Sequence, residues 1–88
     1  MNSAQKKQLK AKAHSLKPVI IVGQAGLTES VLQEIEITLD THELIKIKIR
    51  AEKEQRNQTR DQIIIKTQAE LIQTIGQIIV VYRKNTEK

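Results

Sequence analysis

The sequence contains no cysteine, no phenylalanine and no tryptophan, and Tyr82 is its only aromatic residue. The absence of cysteine excludes disulfide bonds and thiol chemistry, and it fits a reducing compartment. The absence of large aromatic side chains means that the core has to be built from isoleucine, leucine and valine. We therefore expect a small aliphatic core in this chain of 88 residues.

Further absences narrow the class of protein. No apolar run reaches the roughly 18 residues of a membrane span, and residues 1–7 contain no apolar signal segment. The two histidines stand apart, and the serines have no base placed beside them, so we predict neither a metal site nor a catalytic group. A chain of this length can hardly enclose a catalytic pocket. We expect one cytoplasmic, monomeric domain with an ordered core of about residues 3–84. It should have no enzymatic activity, no cofactor, no small-molecule substrate and no membrane partner.

Positive charge dominates the sequence and is unevenly distributed. Fifteen Lys and Arg residues face ten Asp and Glu residues, which gives a net charge of +5. Residues 1–18 contain five lysines and no acid, whereas residues 27–45 contain five acids and no Lys or Arg. This distribution favours a polyanionic partner for the first segment and predicts that the second segment faces away from it.

The first segment predicts an amphipathic helix that begins at Ser3 as N-cap and is ended by Pro18. The spacing i, i+4, i+7 of one buried helix face is occupied by Leu9, Ala13 and Leu16. A group of lysines falls within about 40° on the helical wheel, beside this apolar stripe. This group, the lysine ridge, consists of Lys6, Lys10 and Lys17. We predict that it binds a polyanion; a merely solvated charged face is an equally weighted alternative.

A strand, a glycine loop and a helix start follow in eleven residues. The apolar run Val19–Val22 predicts a strand that is buried on both faces or central in a sheet. The loop Gly23-Gln24-Ala25-Gly26 comes next, and Thr28 is a candidate N-cap of the second helix. Unpaired N–H groups at such a corner can hold an anion, with phosphate the commonest biological one. For an isolated GxxG, however, a plain turn is the commoner explanation.

The second helix and the following strand have clear apolar patterns. A core-facing helical stripe is formed by Val31, Leu32, Ile35 and Leu39, and the opposite side carries Glu29, Glu36 and Asp40. Strict alternation in Leu44–Arg50 predicts a strand whose isoleucines face the core. Its other, open face presents Lys46, Lys48 and Arg50. These basic residues are candidates for binding, although edge protection against aggregation is an alternative.

The remaining chain predicts a hairpin. Residues 51–62 are polar and are compatible with a loop or with a poor helix that runs on to Thr67. Leu71–Ile75 and Ile78–Arg83 predict two strands joined at Gly76-Gln77, and the nearly apolar last strand should be central. Two βα units followed by a hairpin imply an α/β, two-layer fold with a four-stranded mixed sheet and helices packed on it.

Four segments, in order along the chain, resemble the CRM domain (chloroplast RNA splicing and ribosome maturation), in its small bacterial single-domain form called YhbY. They are Leu16-Lys17-Pro18, the stretch from Val22 to Glu29, the stretch from His42 to Lys46, and Ile75-Gly76 together with Val80 to Arg83. The resemblance implies the order α-β-α-β-α-β-β, with a third helix at roughly Gln55–Thr67. The implied fold is similar to the C-terminal domain of the third translation initiation factor.

Members of the CRM family bind RNA, the bacterial ones in association with precursors of the large ribosomal subunit and the plant ones in intron splicing. The resemblance therefore implies that the GxxG loop, here Gly23 to Gly26, contacts RNA together with basic residues around it. Many members carry a lysine or arginine inside this loop. Here Gln24 and Ala25 are neutral, so the loop offers backbone N–H groups but no charge of its own. In a second difference, Ser30 stands where a glycine is common in the family.

These observations predict an RNA-binding assembly factor for the large ribosomal subunit. Its candidate contact residues are Lys6, Lys10, Lys17, Gly23, Gln24, Ala25, Gly26, Thr28, Lys46, Lys48, Arg50 and Arg83. Because stacking of bases on aromatic side chains is largely unavailable, recognition should depend on backbone and shape. A protein-interaction module is the alternative, in which the acidic second helix, Glu29 to Asp40, binds a basic ribosomal protein. Non-specific DNA binding by the first helix is a further, weaker alternative.

Overall fold

A computed structural model describes residues 2–85 of the chain. Its elements in chain order are α1 (Ser3–Ala13), β1 (Ile20–Val22), α2 (Glu29–His42), β2 (Leu44–Ile49), α3 (Lys53–Thr67), β3 (Glu70–Ile75) and β4 (Ile78–Tyr82). The predicted order of elements is confirmed. It includes α3, which the polar pattern of residues 51–62 left open and which the resemblance favoured.

The four strands form one mixed sheet in the order β1-β2-β4-β3. β1 runs parallel to β2, and β4 is antiparallel to both of its neighbours, β2 and β3. The predicted central position of β4 is confirmed, but the prediction for Val19–Val22 is wrong. β1 is a three-residue edge strand in which Ile20 and Val22 are buried, while Val19 and Ile21 are each 54% exposed. One side of this strand faces the core, and the other side extends beyond the cover of α1.

The core lies mainly between the sheet and the pair α2 and α3. Its buried members are Ile20, Val22, Ile35, Leu39, Ile45, Ile47, Ile49, Ile63, Ala69, Ile79 and Val81. The predicted inward side of β2 is thus confirmed. On the opposite face of the sheet, α1 forms a smaller cluster that contains Ala13, Ile72 and Val80, with Leu9, Leu44 and Tyr82 packed against it. The first helix therefore adds a partial layer over one part of that face.

The ends of α1 differ from the prediction. Asn2, rather than Ser3, is the N-cap: its Oδ1 accepts the Gln5 N–H at 2.8 Å, and its own N–H donates to Gln5 Oε1 at 3.3 Å. This reciprocal capping box satisfies two N–H groups at the helix start. The helix ends at Ala13, well before Pro18. A proline restricts only the residue directly before it, here Lys17, so Pro18 is not what ends this helix. Leu16 is consequently 37% exposed instead of buried along a helix face.

The N-terminal end of α2 agrees with the prediction, and its C-terminal end does not. Thr28 is its N-cap, as predicted, and Thr28 Oγ1 accepts the Val31 N–H at 3.3 Å. Ile35 and Leu39 are buried, as predicted. The helical pattern also predicts His42, near the C-terminal end, on the buried side, but His42 is exposed. Within residues 2–85, no helix is long and apolar enough to cross a membrane.

Candidate nucleic-acid interface

The sheet face opposite α2 and α3 is only partly covered by α1 and carries two lysines of β2. Lys46 is paired with Val80 of β4, next to the α1 cluster, and Lys48 is paired with Ile78 of β4 and with the exposed Ile21 of β1. Paired residues point to the same face of a sheet, so both lysines lie on this open face, as predicted. Lys46 and Lys48 are half-buried rather than fully exposed.

Two lysines of α1 adjoin the same face. Lys10, Ala13 and His14 line a small recess together with Lys46 of β2 and Ile75 of β3. Lys6 lies one helical turn before Lys10 and therefore on the same side of α1. No acidic residue is among the described residues that line this recess. The structure thus groups four predicted lysines into one basic face, which we define as Lys6, Lys10, Lys46 and Lys48.

Lys17 is not part of this group, and the predicted lysine ridge is therefore wrong as a continuous helix face. Because α1 ends at Ala13, Lys17 lies in the extended link to β1. It lines a different groove, of about 470 Å³, together with Lys12, Leu16, Val19 and Tyr82. We call this the α1–β2 groove. Lys46 also lines it, so this lysine connects the groove with the basic face.

The glycine loop forms a compact turn at the C-terminal end of β1. The Gly26 N–H donates to the Gly23 carbonyl at 3.0 Å, and the Thr28 N–H donates to the Gly26 carbonyl at 3.0 Å. Gly26 has a φ of 79°, which glycine adopts without strain, whereas Gly23 is outside the left-handed region. Within residues 2–85, the N–H groups of Gln24, Ala25 and Leu27 have no intramolecular acceptor. The Gly23 N–H likewise has no acceptor there. These groups are therefore donors that the loop can offer to an anion.

Arg50 connects the loop to the end of β2. Its N–H donates to the Val22 carbonyl at 2.9 Å, so Arg50 lies beside the residue that precedes Gly23. The side chain follows the alternation of Lys46 and Lys48 along β2 and is exposed. Strand pairing therefore brings the predicted loop and the predicted arginine to the same end of the sheet.

Arg83, which we predicted as an RNA contact, is held elsewhere. Its guanidinium donates to Glu36 Oε1 at 2.9 Å and to Asp40 Oδ1 at 2.8 Å, and also to the carbonyls of Thr67 and Glu36. Burial acts to lower the pKa of Arg83, but the hydrogen bonds and charges of Glu36 and Asp40 outweigh it and raise that pKa. Because its donors are used within the fold, Arg83 joins the end of β4 to α2 and α3, and its assignment as an RNA contact stays a prediction.

The C-terminal segment continues this attachment. The Asn85 N–H donates to Glu43 Oε2 at 2.7 Å, and the Asn85 side-chain amide donates to the Asp40 carbonyl at 2.7 Å. The ordered core of about residues 3–84 that we expected leaves a frayed end from Asn85 onwards. At Asn85 the prediction is wrong, and residues 86–88 lie outside the described residues.

A second basic groove, between α3 and the β3–β4 hairpin, was missed by the sequence reasoning. Lys53, Arg56 and Arg60 line it together with Asn57 and Gln77, and its volume is about 330 Å³. The spacing of these residues along α3 places them on one side of a helix, which was the available signal. Acidic residues in the same stretch of sequence hid this spacing. The charge of Arg60 is partly neutralised by Asp61, whose Oδ1 is 3.0 Å from Arg60 Nη2.

The outer surface of α2 has the opposite character. A shallow depression of about 310 Å³ is lined by Glu29, Leu32, Gln33, Glu36 and Ile37. Ile37, which lies off the apolar stripe of α2, is 66% exposed there. The acidic surface of α2 and the basic face thus lie on opposite faces of the sheet. In the part of the chain that the structure describes, no group of His, Asp and Glu residues is arranged to hold a metal ion.

Comparisons with known proteins give consistent matches over nearly the whole chain. A model of the CRS1 / YhbY (CRM) domain matches residues 1–83. The chain is 46% identical over 86 residues to a Pseudomonas aeruginosa protein named "Probable RNA-binding protein", with 97% of this chain and 83% of that protein covered. It is 46% identical over 88 residues to a Haemophilus influenzae protein named "RNA-binding protein", with coverages of 99% and 89%.

The fold has a counterpart among solved structures. The solution structure of a hypothetical protein from Staphylococcus aureus matches with a TM-score of 0.84 and 31% sequence identity. The match covers 99% of this chain and 92% of that one. The similarity therefore includes all seven helices and strands described above.

Proposed function

Because the chain belongs to the CRS1 / YhbY (CRM) domain family, we propose that it binds RNA, specifically ribosomal RNA in precursors of the large ribosomal subunit, as an assembly factor. The observation that carries this proposal is the grouping of Lys6, Lys10, Lys46 and Lys48 on one open sheet face, away from acidic α2. The relatives' names support RNA as the partner. The ribosomal target follows the family resemblance, whereas the monomeric, cytoplasmic mode of action is a proposal that rests on the sequence composition.

The proposed binding mode is recognition of the phosphate backbone. The lysines of the basic face supply charge, and the free N–H groups of the glycine loop supply neutral donors at one end of the same sheet. Arg50 lies between the basic face and the glycine loop. A surface of this kind contacts phosphates and reads the shape of a folded RNA, so affinity should depend only weakly on base sequence and fall steeply as salt rises.

Single lysine replacements test this mode. We expect Lys10→Gln and Lys48→Gln each to weaken binding to structured ribosomal RNA and to reduce the slope of log affinity against log salt by about 0.7–0.9, the value for one lost phosphate contact. Lys66→Gln is the matched control, because Lys66 is an exposed lysine of α3 that lines neither the α1–β2 groove nor the groove between α3 and the β3–β4 hairpin. The measurement is a binding titration at several salt concentrations. Equal slopes for all three variants and the parent protein would refute the assignment of the basic face.

A basic protein partner on α2 is the second candidate function. It is favoured by the exposed Ile37 in an acidic depression that contains Glu29 and Glu36. The two functions differ in what co-purifies with the protein. RNA of the large-subunit precursor that is retained at low salt and lost at high salt supports our first proposal, whereas a basic ribosomal protein retained after nuclease treatment supports the second. Recovery of DNA alone would support neither.

A further inference from the structure

The only aromatic side chain of the chain lies beside a groove that phosphate recognition leaves unexplained. Tyr82 ends β4 and lines the α1–β2 groove, whose volume is about 470 Å³. Pockets that bind small organic groups have volumes of roughly 300–1,000 Å³. The groove is therefore large enough to receive part of a nucleotide.

The floor of this groove is apolar although it is open to water. Leu16 is 37% exposed and Val19 is 54% exposed, and both line the groove next to Tyr82 and Leu44. The side chains of Leu16 and Val19 are outside both core clusters. Aliphatic groups that stay in contact with water beside an aromatic ring form a surface on which a flat, largely apolar group can be buried.

The rim of the same groove is positively charged. Lys12, Lys17 and Lys46 line it, so an apolar group that enters would bring any attached phosphates close to three ammonium groups. Glu43 is the acidic residue among the described lining residues, and its Oε2 is occupied by the Asn85 N–H at 2.7 Å. An apolar floor with an aromatic residue and a cationic rim matches the two halves of a nucleotide, the base and the phosphate.

Resting on the proposed RNA binding, we propose that the α1–β2 groove holds one unpaired nucleobase of the bound RNA. The base lies against Tyr82, Leu16 and Val19, and the adjoining phosphates are bound by Lys12, Lys17 and Lys46. A base within a duplex is stacked and cannot enter such a groove, whereas a base in a loop, bulge or single strand can. The groove therefore selects RNA with an unpaired nucleotide, and it does so without reading which base is present.

Tyr82 provides a direct signal for this contact, because the chain has no tryptophan and no second tyrosine. The fluorescence of the unmodified protein is titrated with a short single-stranded oligoribonucleotide and with its abasic counterpart, which keeps every phosphate but lacks the bases. We expect the oligoribonucleotide to quench Tyr82 emission and to bind roughly tenfold more tightly than the abasic chain. Equal affinity and equal emission with both ligands would overturn the proposal.

A pair of variants locates the base. Leu16→Gln combined with Val19→Thr changes two exposed side chains and no charge, so the fold and the salt slope should be retained. The tenfold preference and the quenching should be lost. The matched control is Ile37→Gln combined with Ile65→Gln, since these isoleucines are 66% and 73% exposed on the other side of the sheet.

The outcomes separate the two proposals. If the Leu16 and Val19 variant keeps both the preference and the quenching, the base binds elsewhere and the groove assignment is wrong, while RNA binding stands. If neither the oligomers nor structured ribosomal RNA binds the parent protein even at low salt, RNA binding itself is refuted, and the groove assignment falls with it. If only the structured RNA binds, the groove assignment is wrong and RNA binding stands.

Discussion

Gly23 and Gly26 occupy the same loop but should respond differently to alanine in a folding experiment. Gly26 has a φ of 79°, where a residue with a Cβ is strained by about 1 kcal/mol. Gly23 has no such φ, and a Cβ built on it meets no atom within 4 Å. A loss of 1 kcal/mol lowers the melting temperature of a domain of this size by roughly 4–8 °C. We therefore expect Gly26→Ala to melt lower by about this amount and Gly23→Ala to melt at or slightly above the parent temperature.

RNA binding should nevertheless be sensitive to Gly23. A methyl group there extends into the space through which a phosphate would approach the free N–H groups of Gln24 and Ala25. Hydrogen bonds to a charged group contribute about 1.5–3 kcal/mol each, so partial loss of these contacts should weaken binding roughly tenfold.

Both quantities can be measured on the same samples, by thermal unfolding followed with circular dichroism and by fluorescence anisotropy with a labelled structured RNA. Gly23→Ala with parent stability and weakened binding would indicate that this glycine serves the ligand rather than the turn. Parent affinity in the folded Gly23→Ala variant would refute the loop as a phosphate site, and the glycines would then serve only the turn.

Three further changes test the fold around the site. Arg83→Met should lower the free energy of unfolding by about 1–2 kcal/mol, because Asp40 and Glu36 lose a shared partner; denaturant titration measures this loss, and an unchanged RNA salt slope should accompany it. Gln68→Gly should raise the melting temperature by roughly 2–4 °C, since Gln68 ends α3 with a φ of 59°; a lower melting temperature would contradict this. The basic groove between α3 and the β3–β4 hairpin is tested by combining Lys53→Gln with Arg60→Gln. If this groove contacts phosphates, the affinity for long structured RNA and its salt slope should both fall. An unchanged salt slope would exclude the groove as a phosphate contact.

The sequence was most informative where a single periodicity governed an element. The alternation in β2 identified its buried isoleucines and its open basic side, because a strand with one covered face requires that pattern. The apolar composition of β4 likewise indicated its central position. In the case of β1, the same reasoning failed. A short apolar run does not reveal whether one or both of its sides will be covered, and the partial cover given by α1 is a tertiary feature.

The candidate site could be predicted only in part for a similar reason. Lys10 is distant in sequence from Lys46 and Lys48 of β2, and only the packing of α1 on the sheet shows that they share a surface. Arg83 looked like a free cation because its partners, Glu36 and Asp40, precede it by more than forty residues. Formal charge indicates that a partner is needed, but it does not show whether that partner belongs to the chain itself.

The central position of β4 has a consequence for how the domain folds. β4 is the last strand in chain order, and it forms the pairings with both β2 and β3. β3 and β4 can pair locally as a hairpin, but until β4 joins β2, the facing edges of β2 and β4 are both open to pairing with other chains. The sheet therefore cannot grow in the order in which its strands occur, and long-range closure by residues 78–82 is the step that should limit the folding rate. Mutations in β4 should consequently slow folding and promote aggregation more than equally destabilising mutations in α1.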